Sequence, residues 1–93
     1  RINDYILLHE QKHFDVAELF SRKLRKEIAE NIKTSSDFDR KFKSIYSKIL
    51  KEYQDFQRQY DSETKNGILE DKQSEYNRII AEGLENYKNY KSS

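Results

Sequence analysis

The chain reads as all-α, a three-helix antiparallel bundle or hairpin, and three observations predict it. Its 93 residues contain no proline and only two glycines, Gly67 and Gly83. The remainder is rich in Lys, Glu, Gln, Arg and Leu, which favour helix. Its apolar residues recur at helical spacing, in steps of three and four, rather than in alternation.

The first helix is expected over residues 4–32. Asn3 or Asp4 is a competent N-cap, and Thr34-Ser35-Ser36 interrupts the pattern after Ile32. Ser36 with Asp39 three residues on resembles a capping box and opens a second helix over residues 37–60. Its apolar stripe is the cleanest in the chain: Phe38, Phe42, Ile45, Ile49, Tyr53, Phe56 and Tyr60 hold one face of a straight helix, and the spacing predicts core. Residues 61–69, DSETKNGIL, carry turn chemistry, with Gly67 following Asn66. A third helix is expected over residues 70–88, with Tyr76, Ile80, Leu84 and Tyr87 inward, Gly83 weakening it and a fraying NYKNYKSS tail. Short connections between three such helices predict that they fold back on one another. Residues 1–93 form a single helical domain or subdomain in this reading.

Hydrophobic residues make up 34% of the chain. A core of that size is marginal without a metal, a partner or further sequence. Lys and Arg number 18 against 17 Asp and Glu, a net charge of +1, so no overall field favours nucleic acid or an anionic membrane. The one basic run, Arg22-Lys23-Leu24-Arg25-Lys26, is short and flanked by Glu18, Glu27 and Glu30, which disfavours a nucleic-acid interface. No apolar run of membrane-spanning length is present and no signal-peptide pattern opens the chain. The absence of cysteine excludes a disulfide framework and a thiolate zinc site.

The only two histidines stand four residues apart with a glutamate behind the first, His9-Glu10-Gln11-Lys12-His13. This is the HExxH signature of zinc hydrolases. On a helix the two imidazoles lie about 40° apart and one turn up, so they can converge on one metal. Glu10, about 100° from His9, is placed to take a proton from water at the open fourth position of a tetrahedral zinc. The bland alternative is a core face, since Ile2, Ile6, Val16, Ala17, Phe20 and Leu24 project near the histidines.

A catalytic zinc needs a third protein ligand. Glu18 lies about 180° around the helix from His9, and Glu27 is more than three turns beyond His13, so neither serves. The other concentration of oxygen ligands is Asp61-Ser62-Glu63-Thr64. A second helix of about 35 Å folding back antiparallel returns its end to the histidines, so Asp61 or Glu63 is the expected third ligand. Turn closure by Asp61 and Thr64 through side-chain to backbone hydrogen bonds explains the same residues equally well.

The block Leu7-Leu8-His9-Glu10-Gln11-Lys12-His13-Phe14-Asp15-Val16-Ala17-Glu18, then Tyr60-Asp61-Ser62-Glu63-Thr64, Gly67, Gln73 and Tyr76, resembles a family of predicted bacterial secreted zinc-dependent proteases. The resemblance spans most of the chain and is most specific at HExxHFD. It implies His9 and His13 as metal ligands, Glu10 as general base, and a secreted, periplasmic or cell-envelope location. The chain departs from that pattern at Asn66, often histidine there, and at Tyr76, often tryptophan. If that histidine is the family's third ligand, Asn66 is a poor substitute, because an amide oxygen binds zinc weakly.

Zinc peptidases of this type hold substrate as an added strand on a sheet edge preceding the active-site helix. Only eight residues precede His9. The expectation is therefore the helical half of a zincin-like domain whose strand-rich half is absent. The predicted function is a zinc-dependent metallopeptidase acting on a peptide or protein, with this chain alone inactive. The alternative is a non-catalytic helical binding or scaffold module, with or without zinc. Self-association through aromatic helix faces fits either.

Overall fold

The computed structural model describes residues 2–92, the side chains of Ile2, Asn3 and Tyr5 excepted. Helix α1 runs Ile2–Asn31, α2 runs Ser35–Thr64 and α3 runs Glu70–Asn86, followed by a single 3₁₀ turn at Lys88–Tyr90. No strand occurs among the described residues. The molecule is an elongated three-helix bundle, 52 × 24 × 17 Å.

The helices run up, down and up. His9 meets Asp61 while Glu27 meets Lys48, which makes α1 and α2 antiparallel. Gln73 reaches His9 near the start of α1, whereas Arg22 donates to the carbonyl of Leu84 at the far end of α3 and Arg25 to that of Tyr90 in the 3₁₀ turn beyond it. Those two arginines supply donors to carbonyls where the C-terminal helical structure runs out of partners of its own.

The core is Val16, Leu19 and Phe20 from α1, Ile49 and Tyr60 from α2, and Tyr76 and Ile80 from α3, with Leu24, Tyr53, Phe56, Leu84 and Tyr87 packed against it. Phe56 lies between Phe20 and Tyr76, its ring centroid 5.7 Å from each in edge-on geometry, an arrangement that aromatic quadrupoles favour. Gly83 packs tightly on α1: a Cβ there would stand 2.9 Å from Leu19 Cδ2.

The core face expected on α1 is present at Val16 and Phe20, with Ala17 and Leu24 half-buried and Ile6 exposed; the placement of Ile2 on it lies outside the described side chains. On α3 the expected inner stripe is buried at Tyr76 and Ile80 and half-buried at Leu84 and Tyr87.

Several boundaries and one packing expectation are corrected. Helix α1 already includes Asn3 and Asp4, so neither caps it. The α2 cap is Thr34, whose hydroxyl accepts from Asp37 N at 3.0 Å, while Asp37 accepts from Lys33 N at 2.9 Å. The Ser36–Asp39 pair therefore lies inside the helix, because Thr34 keeps the extended backbone a cap needs. Helix α2 also continues through Thr64, so residues 61–64 form its last turn rather than a loop. The chain then reverses through three consecutive positive-φ residues, Lys65, Asn66 and Gly67. Asparagine and glycine tolerate that conformation best.

The α2 stripe is core only in part. Of the residues expected there, Phe38 is 51% exposed and Phe42 and Ile45 are half-buried; Phe42 stacks between Phe38 and Tyr46, an exposed residue outside that stripe. Helix α3, at 17 residues against 30 for each partner, leaves that end of the hairpin without a third layer.

Candidate metal centre

Helix α1 presents His9 and His13 on one face, as i, i+4 spacing requires. His9 is fully buried and His13 lies at the edge, its side chain 22% exposed. Facing them, α2 carries its own polar stripe at i, i+4 and i+7: Gln57, Asp61 and Thr64. Helix α3 contributes Gln73, 2% exposed.

Asp61 joins the two histidines. Its Oδ1 lies 2.8 Å from His9 Nε2 and 2.7 Å from His13 Nε2. On the opposite side of each ring, Nδ1 faces an amide oxygen: Gln73 Oε1 at 2.9 Å from His9 and Gln57 Oε1 at 2.6 Å from His13.

The orientation of both amides follows from the surrounding network. Tyr60 Oη donates to the His9 carbonyl at 3.0 Å, so toward Gln73 it can only accept, and Gln73 Nε2 donates to it at 2.7 Å and to Asn77 Oδ1 at 2.9 Å. Gln57 Nε2 donates to the His13 carbonyl at 3.3 Å. Each glutamine thus turns its nitrogen to groups that accept and its oxygen to imidazole Nδ1. Thr64 Oγ1, whose proton goes to the Tyr60 carbonyl, lies 3.4 Å from His9 Nδ1 and is a further oxygen on that side.

Tyr60 also stacks on the His9 ring, centroids 4.3 Å apart and planes 16° from parallel. Burial pushes its phenol up to about 12, with the charges of Asp61, Glu10 and Asp15 adding to the effect while Gln73 opposes it. It therefore remains an O–H donor at neutral pH.

Glu10 is exposed beside the cluster. One of its carboxylate oxygens and one ring nitrogen from each histidine lie within 4.8 Å of one another. Glu63 is directed elsewhere: it accepts from Tyr76 Oη at 2.9 Å and from Gln59 Nε2 at 2.8 Å. Those bonds, the Gln59 bond most, hold its carboxyl below the usual range. Of the two carboxylates expected near the histidines, the fold brings Asp61. Thr64 closes the turn as the alternative foresaw, accepting from Gly67 N at 3.3 Å, whereas the Asp61 side chain faces the imidazoles. Asn66 lies in the reversal with φ 58°, and its backbone N–H donates to the Asp61 carbonyl at 3.0 Å.

Spacing alone does not mark Gln57 or Gln73 for the cluster, and Tyr60 falls on the apolar stripe of α2. The available signal was positional. Gln73 stands three residues before Tyr76, extending the buried stripe of α3 by one polar step, and Gln57 stands four before Asp61.

Fold and site together define a helical-bundle protein with a paired-histidine and carboxylate centre built across all three helices. The chain belongs to the family described as "Bacterial protein of unknown function (DUF922)", whose model matches residues 1–67. No curated protein and no solved structure matches it. The matched stretch includes α1 and α2 and hence His9, Glu10, His13, Gln57 and Asp61; Gln73 lies beyond it.

Proposed function

We propose that His9, His13 and Asp61 bind a zinc ion and that the chain is the helical half of a zinc-dependent peptide hydrolase, with Glu10 as general base. The observation that carries this is an excess of acceptors. The four ring nitrogens face Gln73 Oε1, Gln57 Oε1 and, twice, Asp61 Oδ1. Two neutral imidazoles supply only two N–H protons for those four contacts. A divalent cation shared by both Nε2 atoms and Asp61 removes the deficit and leaves each Nδ1–H to its glutamine.

The donor set fits zinc. Two imidazoles and one carboxylate are a recurring catalytic combination that leaves a fourth position open. The Nε2 to Oδ1 separations of 2.8 and 2.7 Å are shorter than the edge of about 3.3 Å in a tetrahedron with bonds of about 2.0 Å. Asp61, its side chain 43% exposed, has room to withdraw by that difference.

Zinc in such a site polarises a carbonyl and acidifies water. Glu10, exposed and on the turn that carries both histidines, accepts a proton at a carboxylate oxygen and can return it to a leaving amine. Tyr60 and Gln73 close the inner side of His9, so water reaches the centre from the Glu10 and Asp61 side. The resemblance to secreted zinc proteases supports the same reading and a compartment outside the cytoplasm. A three-helix bundle offers no strand edge on which a peptide can pair, so this chain alone is expected to be inactive.

The test is zinc content after dialysis against trace zinc, for the chain and for His13→Ala. Stoichiometric zinc that disappears in the variant supports the centre; no zinc in either removes it. Hydrolysis of a denatured protein by a longer form, lost in Glu10→Gln, then separates the enzyme from a non-catalytic zinc-binding module.

A further inference from the structure

We infer that Gln57 and Gln73 are a pair of positioning residues, each holding one imidazole of the centre with its Nδ1–H outward and its Nε2 lone pair turned to the metal position beside Asp61. This rests on the zinc reading and adds the means by which the chain prepares its donors.

The two contacts have the same construction, one reaching α1 from α2 and the other from α3. Each amide oxygen takes one Nδ1, and each amide nitrogen is committed to a group that reads back to the same histidine. Gln57 Nε2 bonds the His13 carbonyl directly. Gln73 Nε2 reaches the His9 carbonyl through Tyr60 Oη. Rotating either amide by half a turn would place N–H against N–H at the ring and oxygen against oxygen at the anchor, losing two bonds at Gln57 and three at Gln73. The backbone that positions each imidazole therefore also selects its tautomer.

The alternative is that these glutamines only fill space and satisfy buried polar atoms. A neutral amide is also a weaker partner for imidazole than the carboxylate that often occupies this role, so affinity that is kept or raised on introducing charge is a specific expectation of the positioning role. Gln57 is the place to test it, since it is only half-buried and a carboxylate there keeps access to solvent.

The experiment is competition with a chromophoric chelator for zinc, using the parent chain, Gln57→Met, Gln57→Glu and Gln73→Met, with thermal melting of the metal-free forms as the folding control. The two methionine variants are expected to bind zinc about 10–100-fold more weakly, the usual loss for an outer-sphere partner, and Gln57→Glu to bind at least as tightly as the parent. In ¹H–¹⁵N spectra of the zinc form, the Nδ1–H of His13 loses protection from exchange in Gln57→Met while that of His9 keeps it; Gln73→Met gives the converse. Should Gln73→Met not fold, Tyr60→Phe tests the same contact, because it keeps the stacked ring and removes only the hydroxyl that orients Gln73.

Methionine variants that bind zinc as tightly as the parent, or a Gln57→Glu loss equal to that of Gln57→Met, overturn the positioning role while the zinc centre stands. A parent chain that binds no zinc overturns the centre itself and the positioning role with it.

Discussion

Tyr60 holds His9 from two directions, stacking on its ring at 4.3 Å and donating its hydroxyl to its backbone carbonyl at 3.0 Å. The ring contact comes from α2 packing on α1, and the hydroxyl contact carries Gln73 of α3 with it. In Tyr60→Phe the stack survives, but Gln73 Nε2 loses one of its two acceptors, keeping only Asn77 Oδ1. The expected cost is about 1–3 kcal/mol, the usual penalty for one buried polar group left unpaired. Urea denaturation with an unchanged m-value checks it. An unaltered midpoint would show that the hydroxyl is dispensable.

Asp61 and Glu63 separate cleanly under mutation if the centre is as proposed. Asp61→Ala is expected to weaken zinc binding by more than the roughly 10–100-fold of an outer-sphere loss, and Glu63→Ala to leave it unchanged, since Glu63 bonds Tyr76 and Gln59 instead. Zinc titration of the two variants decides between them, and equal losses would contradict the placement.

The start of α2 gives a local test. Thr34→Ala removes the hydroxyl that accepts from Asp37 N and is expected to cost about 1 kcal/mol. Ser36→Ala, inside the helix and exposed, is expected to be neutral or slightly stabilising, because alanine is the better helix former. Paired thermal melts would show the reverse order if the cap lay at Ser36.

At Gly83 two effects oppose. Alanine adds about 1 kcal/mol of helix propensity, but its Cβ would stand 2.9 Å from Leu19 Cδ2 and 3.0 Å from Cδ1. Leu19 is 4% exposed, so its side chain has little space in which to yield, and crowding of this kind costs about 1–3 kcal/mol. Gly83→Ala is expected to lower stability by on the order of 1 kcal/mol, and Gly83→Val by more. A melting temperature raised by the alanine would mean that α3 can shift away from α1.

Alkaline stability should reflect Tyr60 and Tyr76. Burial raises both phenols to about 12, the Glu63 hydrogen bond adding to the shift at Tyr76. The folded chain then keeps two protons that the unfolded chain releases from pH 10 upward, so stability is full below about pH 10 and falls as pH rises toward 12. Denaturation midpoints across that range check the sign. In Tyr76→Phe the decline should be shallower.

Much of this protein was legible in its residues. The absence of proline, the stripes of α2 and α3, and the turn chemistry around Gly67 are local properties, and local propensity with periodicity suffices to predict three helices. The i, i+4 histidines with Glu10 between them are likewise local, because one helix turn brings them together without help from the rest of the chain.

The remainder depended on how the helices meet. Whether Asp61 or Glu63 faces the histidines is a matter of 200° of rotation on α2, set by where Tyr60 and Ile49 bury and by the helix continuing to Thr64. Gln57 and Gln73 are ordinary helix residues in the sequence; only the packing of α2 and α3 against α1 turns their amides into partners for two imidazoles. The exposure of Phe38 was decided in the same way, by the length of α3 rather than by its own spacing. Contacts between residues 44 to 64 positions apart have no local signature, because they exist only after the apolar faces have chosen their partners.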